Sequence, residues 1–176
     1  MLPRMPKHPA KPAATRPRSP RPGTLSLLGA GEHRYPVAPE DARLETFPNP
    51  APDRPYQITF ECPEFTSLCP ITGQPDFATL TVAYVPNRFC LESKALKLYL
   101  FAFRNQGCFA ETIVNRILDD LAAACQPRWM AVTGNFTARG GIRISVRAER
   151  GRRPANPGSG DVGATLLKKG APQAPS

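Results

Sequence analysis

Proline is concentrated at the start of this chain. Of the 22 prolines in 176 residues, 13 fall within residues 1–55. Because proline lacks a backbone N–H and fixes φ, such a stretch cannot form sheet ladders or long helices. Its low apolar content also cannot offset the entropy lost on ordering. The sequence therefore predicts a disordered tail over residues 1–44, a folded domain over residues 45–151, and a second disordered tail over residues 152–176.

Positive charge follows the same division. Residues 1–44 carry 8 Lys/Arg and 3 Asp/Glu, a net charge of +5. Residues 150–176 carry 5 Lys/Arg and 1 Asp/Glu, a net charge of +4. Residues 45–149 carry 10 of each sign, so the middle of the chain is neutral. The overall charge of +9 would by itself suggest a nucleic-acid partner. Because the excess positive charge lies in the tails, the domain has no basic patch, and we expect no direct nucleic-acid binding. The alternative is a protein that binds nucleic acid through its tails.

The cysteines and histidines indicate the compartment and limit the chemistry. Five cysteines, an odd number with no C-x-x-C pair and no secretory signal, predict reduced thiols and a cytoplasmic protein. Both histidines, His8 and His33, lie in the first tail. The domain therefore lacks the imidazole that a Cys-His pair or a typical zinc site uses, and we predict no metal. No apolar run approaches the roughly 20 residues of a membrane span.

The middle of the chain alternates between strand and helix patterns. Strands are predicted over residues 57–61, 77–85, 129–138 and 141–150, and helices over residues 92–103 and 109–124. A loop over residues 70–75 and a turn at Arg139-Gly140-Gly141 join the paired strands. The order ββααββ predicts an α+β fold, in which a four-stranded antiparallel sheet carries two helices on one face. Its open edges would need cover, which an oligomer provides.

Cys69 and Asp76 are the residues best suited to covalent chemistry. Cys69 lies in a loop rich in Pro and Gly, and Asp76 follows seven residues later. A thiol must lose its proton before it attacks, and a neighbouring carboxylate can manage that proton. Each residue also has a structural alternative: a buried thiol for Cys69, and a loop cap for Asp76. Glu92, at the start of the first helix, could equally be a helix cap.

Several segments, in order, resemble the NADPH-dependent 7-cyano-7-deazaguanine reductases. Residues 65–78 are similar to that family's active-site segment. Glu92-Ser93-Lys94-Ala95-Leu96-Lys97-Leu98-Tyr99 matches its motif E-[SL]-K-[SA]-x-K-[LY]-[YFW] at every position. Residues 47–50, 103–107 and 139–142 also look like family segments. The resemblance covers residues 45–150 and leaves out both tails.

The resemblance implies a fold, an assembly and a reaction. The family has the tunnelling fold, in which ββααββ subunits form rings, active sites lie between subunits, and single-domain members stack two pentamers. It uses two NADPH to reduce the nitrile of 7-cyano-7-deazaguanine to an aminomethyl group, a step of queuosine biosynthesis for tRNA. By this resemblance Cys69 is the nucleophile that forms a covalent thioimide, and Asp76 handles the proton.

The resemblance also implies the binding residues. Substrate contacts correspond to Leu91, Glu92, Ser93, Ala110 and Glu111, and cofactor contacts to Ser93, Lys94, Arg139 and Gly140. A carboxylate suits adjacent N–H donors of a guanine-like ring, and cationic groups suit phosphate. No G-x-G-x-x-G fingerprint follows a strand, so Rossmann-type cofactor binding is not expected.

One position departs from the family pattern. The family usually has histidine directly before the glutamate that corresponds to Glu111, and this chain has Ala110. The alternative function is therefore a relative that binds a deazapurine or performs other nitrile chemistry. The intact Glu92–Tyr99 motif argues against relatives that aminate the nitrile without NADPH. The missing domain histidines argue against a zinc-dependent pterin cyclohydrolase of the same fold.

Overall fold

The computed structural model describes residues 35–153 of the chain. Its strands and helices, in chain order, are β1 (Thr46–Pro48), β2 (Ile58–Leu68), β3 (Pro75–Val85), β4 (Phe89–Leu91), α1 (Ser93–Phe101), α2 (Ala110–Cys125), β5 (Trp129–Phe136) and β6 (Ser145–Gly151). The four longer strands form an antiparallel sheet in the order β2-β3-β5-β6, and β1 pairs with β4 in a two-stranded sheet. The predicted α+β class, with antiparallel strands and two helices, is confirmed.

The core lies between one face of the four-stranded sheet and the two helices. Alternating residues of β3 and β5 point to this face and are fully buried, as the period of two in a strand requires: Leu80, Val82, Tyr84, Met130 and Val132. The apolar stripe of α2 covers them with Ile113, Ile117 and Leu121. A Cβ at Gly134 would lie 2.8 Å from Cγ2 of Val114, so glycine lets α2 approach β5 closely.

Strand β2 is longer than its sequence pattern predicts. Pro63 limited the prediction to residues 57–61, because proline cannot donate to a ladder. In the structure the register shifts between Cys62 and Phe65, and this bulge accommodates the proline so that pairing resumes as far as Leu68. As a result Ser67 lies directly opposite Asp76 of β3.

The other elements differ from the prediction mainly at their ends. Helix α1 stops at Phe101 and continues as a 3₁₀ turn from Ala102 to Asn105. Strand β5 stops at Phe136 and β6 starts at Ser145, so residues 137–144 form a longer loop than the expected tight turn. Two glycines with positive φ, Gly140 and Gly141, form the tip of that loop.

Residues 35–44, which the sequence placed in the first tail, pack against the domain. The rings of Tyr35 and Phe101 lie 4.7 Å apart, and the carboxylate of Glu40 lies 2.7 Å from the guanidinium of Arg116. The remainder of both predicted tails, residues 1–34 and 154–176, lies outside the described residues. Within residues 35–153, no helix is both long enough and apolar enough to cross a membrane.

Candidate active site

The loop between β2 and β3 presents Cys69. The N–H of Cys69 donates to the carbonyl of Gln74 at 2.8 Å, and its carbonyl accepts from the N–H of Gly73 at 2.9 Å. Gly73 has a φ of +69°, a conformation that favours glycine. These bonds close the loop on itself and leave the thiol partly exposed rather than buried in the core.

The loop also favours the thiolate form of Cys69. Its pKa is lowered to about 7, chiefly by a hydrogen bond with the Thr72 side chain and then by bonds with the backbones of Thr72 and Ile71. Burial has the opposite effect elsewhere: it raises the pKa of Cys62 and raises that of Cys125 to about 12. Since the thiolate is the reactive form, these pKa shifts favour Cys69 over Cys62 and Cys125 as the reactive thiol near neutral pH.

Asp76 lies at the other end of the same loop, in the second position of β3. Its carboxylate accepts a hydrogen bond from Nη1 of Arg139, and Nη2 of Arg139 donates to Oε1 of Gln74 at 2.6 Å. The guanidinium therefore joins the loop 137–144 to the Cys69 loop. We call Cys69, Gln74, Asp76 and Arg139 the thiol cluster.

Helix α2 begins beside the thiol cluster. The N–H of Leu68 donates to the carbonyl of Gln106, and the N–H of Cys108 donates to the carbonyl of Leu68, both at 3.0 Å. Ala110 and Glu111 follow in the first turn of α2, where Glu111 is exposed and the helix dipole favours a carboxylate. The structure thus brings the predicted Glu111 to the same end of the sheet as Cys69.

The other predicted binding residues lie at the opposite end of the sheet. The N–H of Leu91 donates to the hydroxyl of Tyr84 at 3.0 Å. Tyr84 follows Asp76 by eight residues in β3, a separation of about 26 Å at the usual rise of a strand. Leu91, Glu92, Ser93 and Lys94, which we call the helix-cap cluster, therefore lie towards the end of β3 that is farther from Asp76 and the Cys69 loop.

Glu92 has the capping role that its position suggested. One carboxylate oxygen accepts from the N–H of Lys94 at 2.9 Å, and the other accepts from the N–H of Ala95 at 2.7 Å. Its side chain is buried, and it anchors the first turn of α1. A carboxylate has lone pairs left after these two bonds, so capping does not exclude a ligand contact.

A groove of about 560 Å³ runs between α1 and the free edge of β2. It begins at Ser93 and continues past Lys97 to Arg104, with an apolar wall that includes Phe60, Phe65 and Leu100. The groove therefore adjoins the helix-cap cluster. Cys69 and Asp76 are not among the residues that line it.

Comparison with known proteins gives the family. A family model described as QueF-like protein matches residues 75–155. The NADPH-dependent 7-cyano-7-deazaguanine reductase of Anaeromyxobacter sp. (strain Fw109-5) is 59% identical over 112 residues, which are 64% of this chain and 92% of that protein. This chain belongs to the family of NADPH-dependent 7-cyano-7-deazaguanine reductases. The relative of that name from Nitratidesulfovibrio vulgaris (strain DP4) is 57% identical over 117 residues, or 66% of this chain and 71% of the relative.

A solved structure supports the fold of the reductase family. The archaeosine synthase QueF-Like in the apo form matches with a TM-score of 0.53 at 24% sequence identity. The match covers 58% of this chain and 100% of that chain. At this identity the likeness concerns the fold alone.

Sequence reasoning missed two members of the site. Thr72 is the largest cause of the lowered pKa of Cys69, and Gln74 holds both the Cys69 backbone and Arg139. Both residues lie between Cys69 and Asp76, in the segment that resembles the family's active site. Their position in that segment is the sequence feature that could have identified them. Arg139 was found by resemblance, but as a cofactor contact rather than as a partner of Asp76.

We predict that iodoacetamide alkylates Cys69 with an apparent pKa of about 7. The rate should rise as pH increases through this value, because the thiolate fraction rises. Removing the Thr72 hydroxyl in Thr72→Val should move the midpoint to higher pH, and peptide mapping of the alkylated protein measures both. A midpoint at the ordinary thiol value, unchanged in Thr72→Val, would contradict the assigned hydrogen bond.

Proposed function

We propose that this protein reduces the nitrile of 7-cyano-7-deazaguanine to 7-aminomethyl-7-deazaguanine through a covalent thioimide on Cys69. Membership of the reductase family supports the overall reaction and its dependence on NADPH. The observation that carries the mechanism is a partly exposed thiol with a pKa of about 7 in one cluster with a carboxylate. The product would serve queuosine biosynthesis for tRNA, in the cytoplasm.

The first chemical step joins Cys69 to the nitrile. The thiol proton passes to Asp76, and the thiolate sulfur forms a bond to the electrophilic nitrile carbon. One π bond of the nitrile breaks, its electrons go to nitrogen, and nitrogen takes the proton from Asp76. The product is a thioimide, and the step is neutral in redox terms. It converts an inert triple bond into a C=N group that can be reduced.

Reduction then requires two hydrides, which NADPH supplies when bound. Between the two reductions the Cys69 sulfur would leave the carbon as a thiolate, and the nitrogen would take the second proton of its amino group through Asp76, which is reprotonated from solvent. The exposed parts of the chain fit a phosphate-bearing cofactor. The Arg139 side chain is 40% exposed, and the Gly140 backbone borders open space. Ser93 and Lys94 are proposed to contact the same cofactor from the helix-cap cluster.

The substrate ring is proposed to be held by carboxylate, hydroxyl and backbone groups. Glu111, exposed beside the thiol cluster, suits the adjacent N–H donors of a guanine-like ring. Leu91, Glu92, Ser93 and Ala110 would complete the pocket. Of these, only Ala110 shares the Cys69 end of the protomer.

The separation of the two clusters supports an active site between two copies of the chain. The two clusters lie towards opposite ends of β3, so one substrate molecule that contacts both would take the helix-cap cluster from a neighbouring copy of the chain. Strands β2 and β6 are the edges of the sheet, which gives the protomer two edges for neighbours. We propose a closed ring, in which each interface contributes one thiol cluster and one helix-cap cluster. Stacked pentamers are the form implied by resemblance.

Ala110 favours the second candidate, a relative that binds a deazapurine or performs other nitrile chemistry. Its methyl group cannot replace the hydrogen bonds or proton transfers of an imidazole. The retained Cys69, Asp76 and Glu111 favour the reductase instead. Consumption of NADPH distinguishes the two candidates.

Incubation with 7-cyano-7-deazaguanine without NADPH tests the covalent step. Intact-mass spectrometry should show one added substrate molecule per chain on the wild type, and peptide mapping should place it on Cys69. Cys69→Ala should give no adduct, since it lacks the nucleophile. Asp76→Asn should form it roughly 10²–10⁴-fold more slowly, the usual loss for a general base. An adduct on Cys69→Ala would disprove the assigned nucleophile.

Mixing two inactive variants tests the shared site. Cys69→Ala lacks the nucleophile, and Lys94→Glu places a negative charge where cofactor phosphate is proposed to bind. If one site takes its two clusters from neighbouring chains, random 1:1 mixing by co-expression leaves about a quarter of the sites intact. Each variant expressed alone is the control. Mixed oligomers with no more NADPH consumption than the controls would contradict the shared site.

A further inference from the structure

Ser67 is a buried residue whose hydroxyl has no evident role. Its side chain is 0% exposed, and within the described residues its Oγ has no hydrogen-bond partner. Buried hydroxyls nearly always have a partner, because an unpaired one loses its hydrogen bonds to water and gains none in the fold. Ser67 therefore contributes little to stability through its hydroxyl in this conformation.

The position of Ser67 points to Asp76 as its partner in another state. The two residues are directly opposite each other in the antiparallel pair of β2 and β3. Opposite residues project to the same face of a sheet, with Cβ atoms about 4.5–5.5 Å apart. A rotation of the Asp76 side chain is thus enough to bring its carboxylate to the hydroxyl.

In the present conformation Arg139 holds the Asp76 carboxylate. The ion pair lies at the surface, since the two side chains are 40% and 20% exposed. A cofactor phosphate that binds the guanidinium as proposed would compete with Asp76 for Arg139 and favour release of the carboxylate. Asp76 would then need another donor to fix its orientation for proton transfer, and Ser67 is the buried donor directly beside it.

We propose that Ser67 is a positioning residue for Asp76: its hydroxyl donates to the carboxylate when Asp76 turns from Arg139 towards the thiol and the substrate. Ser67 takes no proton and forms no bond to the substrate. It holds one carboxylate oxygen so that the other can accept the thiol proton and return it to the nitrile nitrogen. This inference rests on the proposed role of Asp76 in thioimide formation.

Ser67→Ala tests the proposal, because it removes the hydroxyl and leaves the packing of the strand almost unchanged. Three quantities are measured: the rate of thioimide formation without NADPH, the rate of Cys69 alkylation by iodoacetamide, and the melting temperature. Thioimide formation should fall roughly 10- to 100-fold, the effect of losing a hydrogen bond to a charged group. Alkylation should not change, because it needs only the thiolate. The melting temperature should stay the same or rise, because an unpaired buried group is removed.

Thr79→Val is the matched control. Thr79 lies three residues after Asp76 in β3, on the opposite face of the sheet, so loss of its hydroxyl should leave all three quantities as in the wild type. An unchanged thioimide rate in Ser67→Ala would overturn the inference. So would a lower melting temperature or slower alkylation, since either shows a structural role for the hydroxyl. If the proposed function itself is wrong, the wild type forms no thioimide, and this result is distinguishable from a wild type that forms it at the same rate as Ser67→Ala.

Discussion

The pairing of β2 with β3 is the constraint on which the site depends. The bulge between Cys62 and Phe65 lets β2 pass Pro63 and pair again with β3, opposite Ala78, Phe77, Asp76 and Pro75. This pairing fixes the two ends of the loop that holds Cys69. It also places Ser67 beside Asp76 on the core side of the sheet. The second half of β2 thus fixes the strand positions on either side of Cys69, up to Asp76.

Two further contacts hold the loop from outside. Leu68 exchanges backbone hydrogen bonds with Gln106 and Cys108, so the start of α2 is joined to the loop. Arg139 joins it to the loop after β5 through Asp76 and Gln74. The Cys69 loop is therefore held by three separate parts of the chain. Such support is what keeps a reactive side chain in its productive geometry.

The length of β3 separates the thiol cluster from the helix-cap cluster within a protomer. Asp76 and Tyr84 lie near the two ends of β3. The hydroxyl of Tyr84 accepts a hydrogen bond from the N–H of Leu91, which belongs to the helix-cap cluster. The same rigid strand that places each cluster also keeps them apart. A site that uses both clusters is consequently tied to assembly, and subunit contacts would control activity as directly as the catalytic residues do.

Local patterns were enough to predict the four strands of the main sheet, the two helices and the α+β class. The extent of β2 was not predictable, because a proline that ends most strands is here accommodated by a bulge. The short pair of β1 and β4 was missed too, since three residues carry too little periodicity. Cys69 and Asp76 were found because they share one segment of sequence. The pairing of Asp76 with Arg139 joins residues 63 positions apart, which no local pattern encodes.

The separation of the two clusters also lay beyond the sequence. The motif from Glu92 to Tyr99 and the segment around Cys69 are close in sequence, and both resemble active-site segments of one family. Only the three-dimensional path of β3 shows that they lie towards its opposite ends.

Consumption of NADPH by the purified full-length protein on addition of 7-cyano-7-deazaguanine tests the central claim most directly. Its absorbance should fall until two NADPH are oxidised for each substrate molecule, and Cys69→Ala in parallel should oxidise none. Wild-type protein that forms the Cys69 adduct but leaves NADPH unchanged would contradict the reductase, and would point to the other nitrile chemistry that Ala110 suggests.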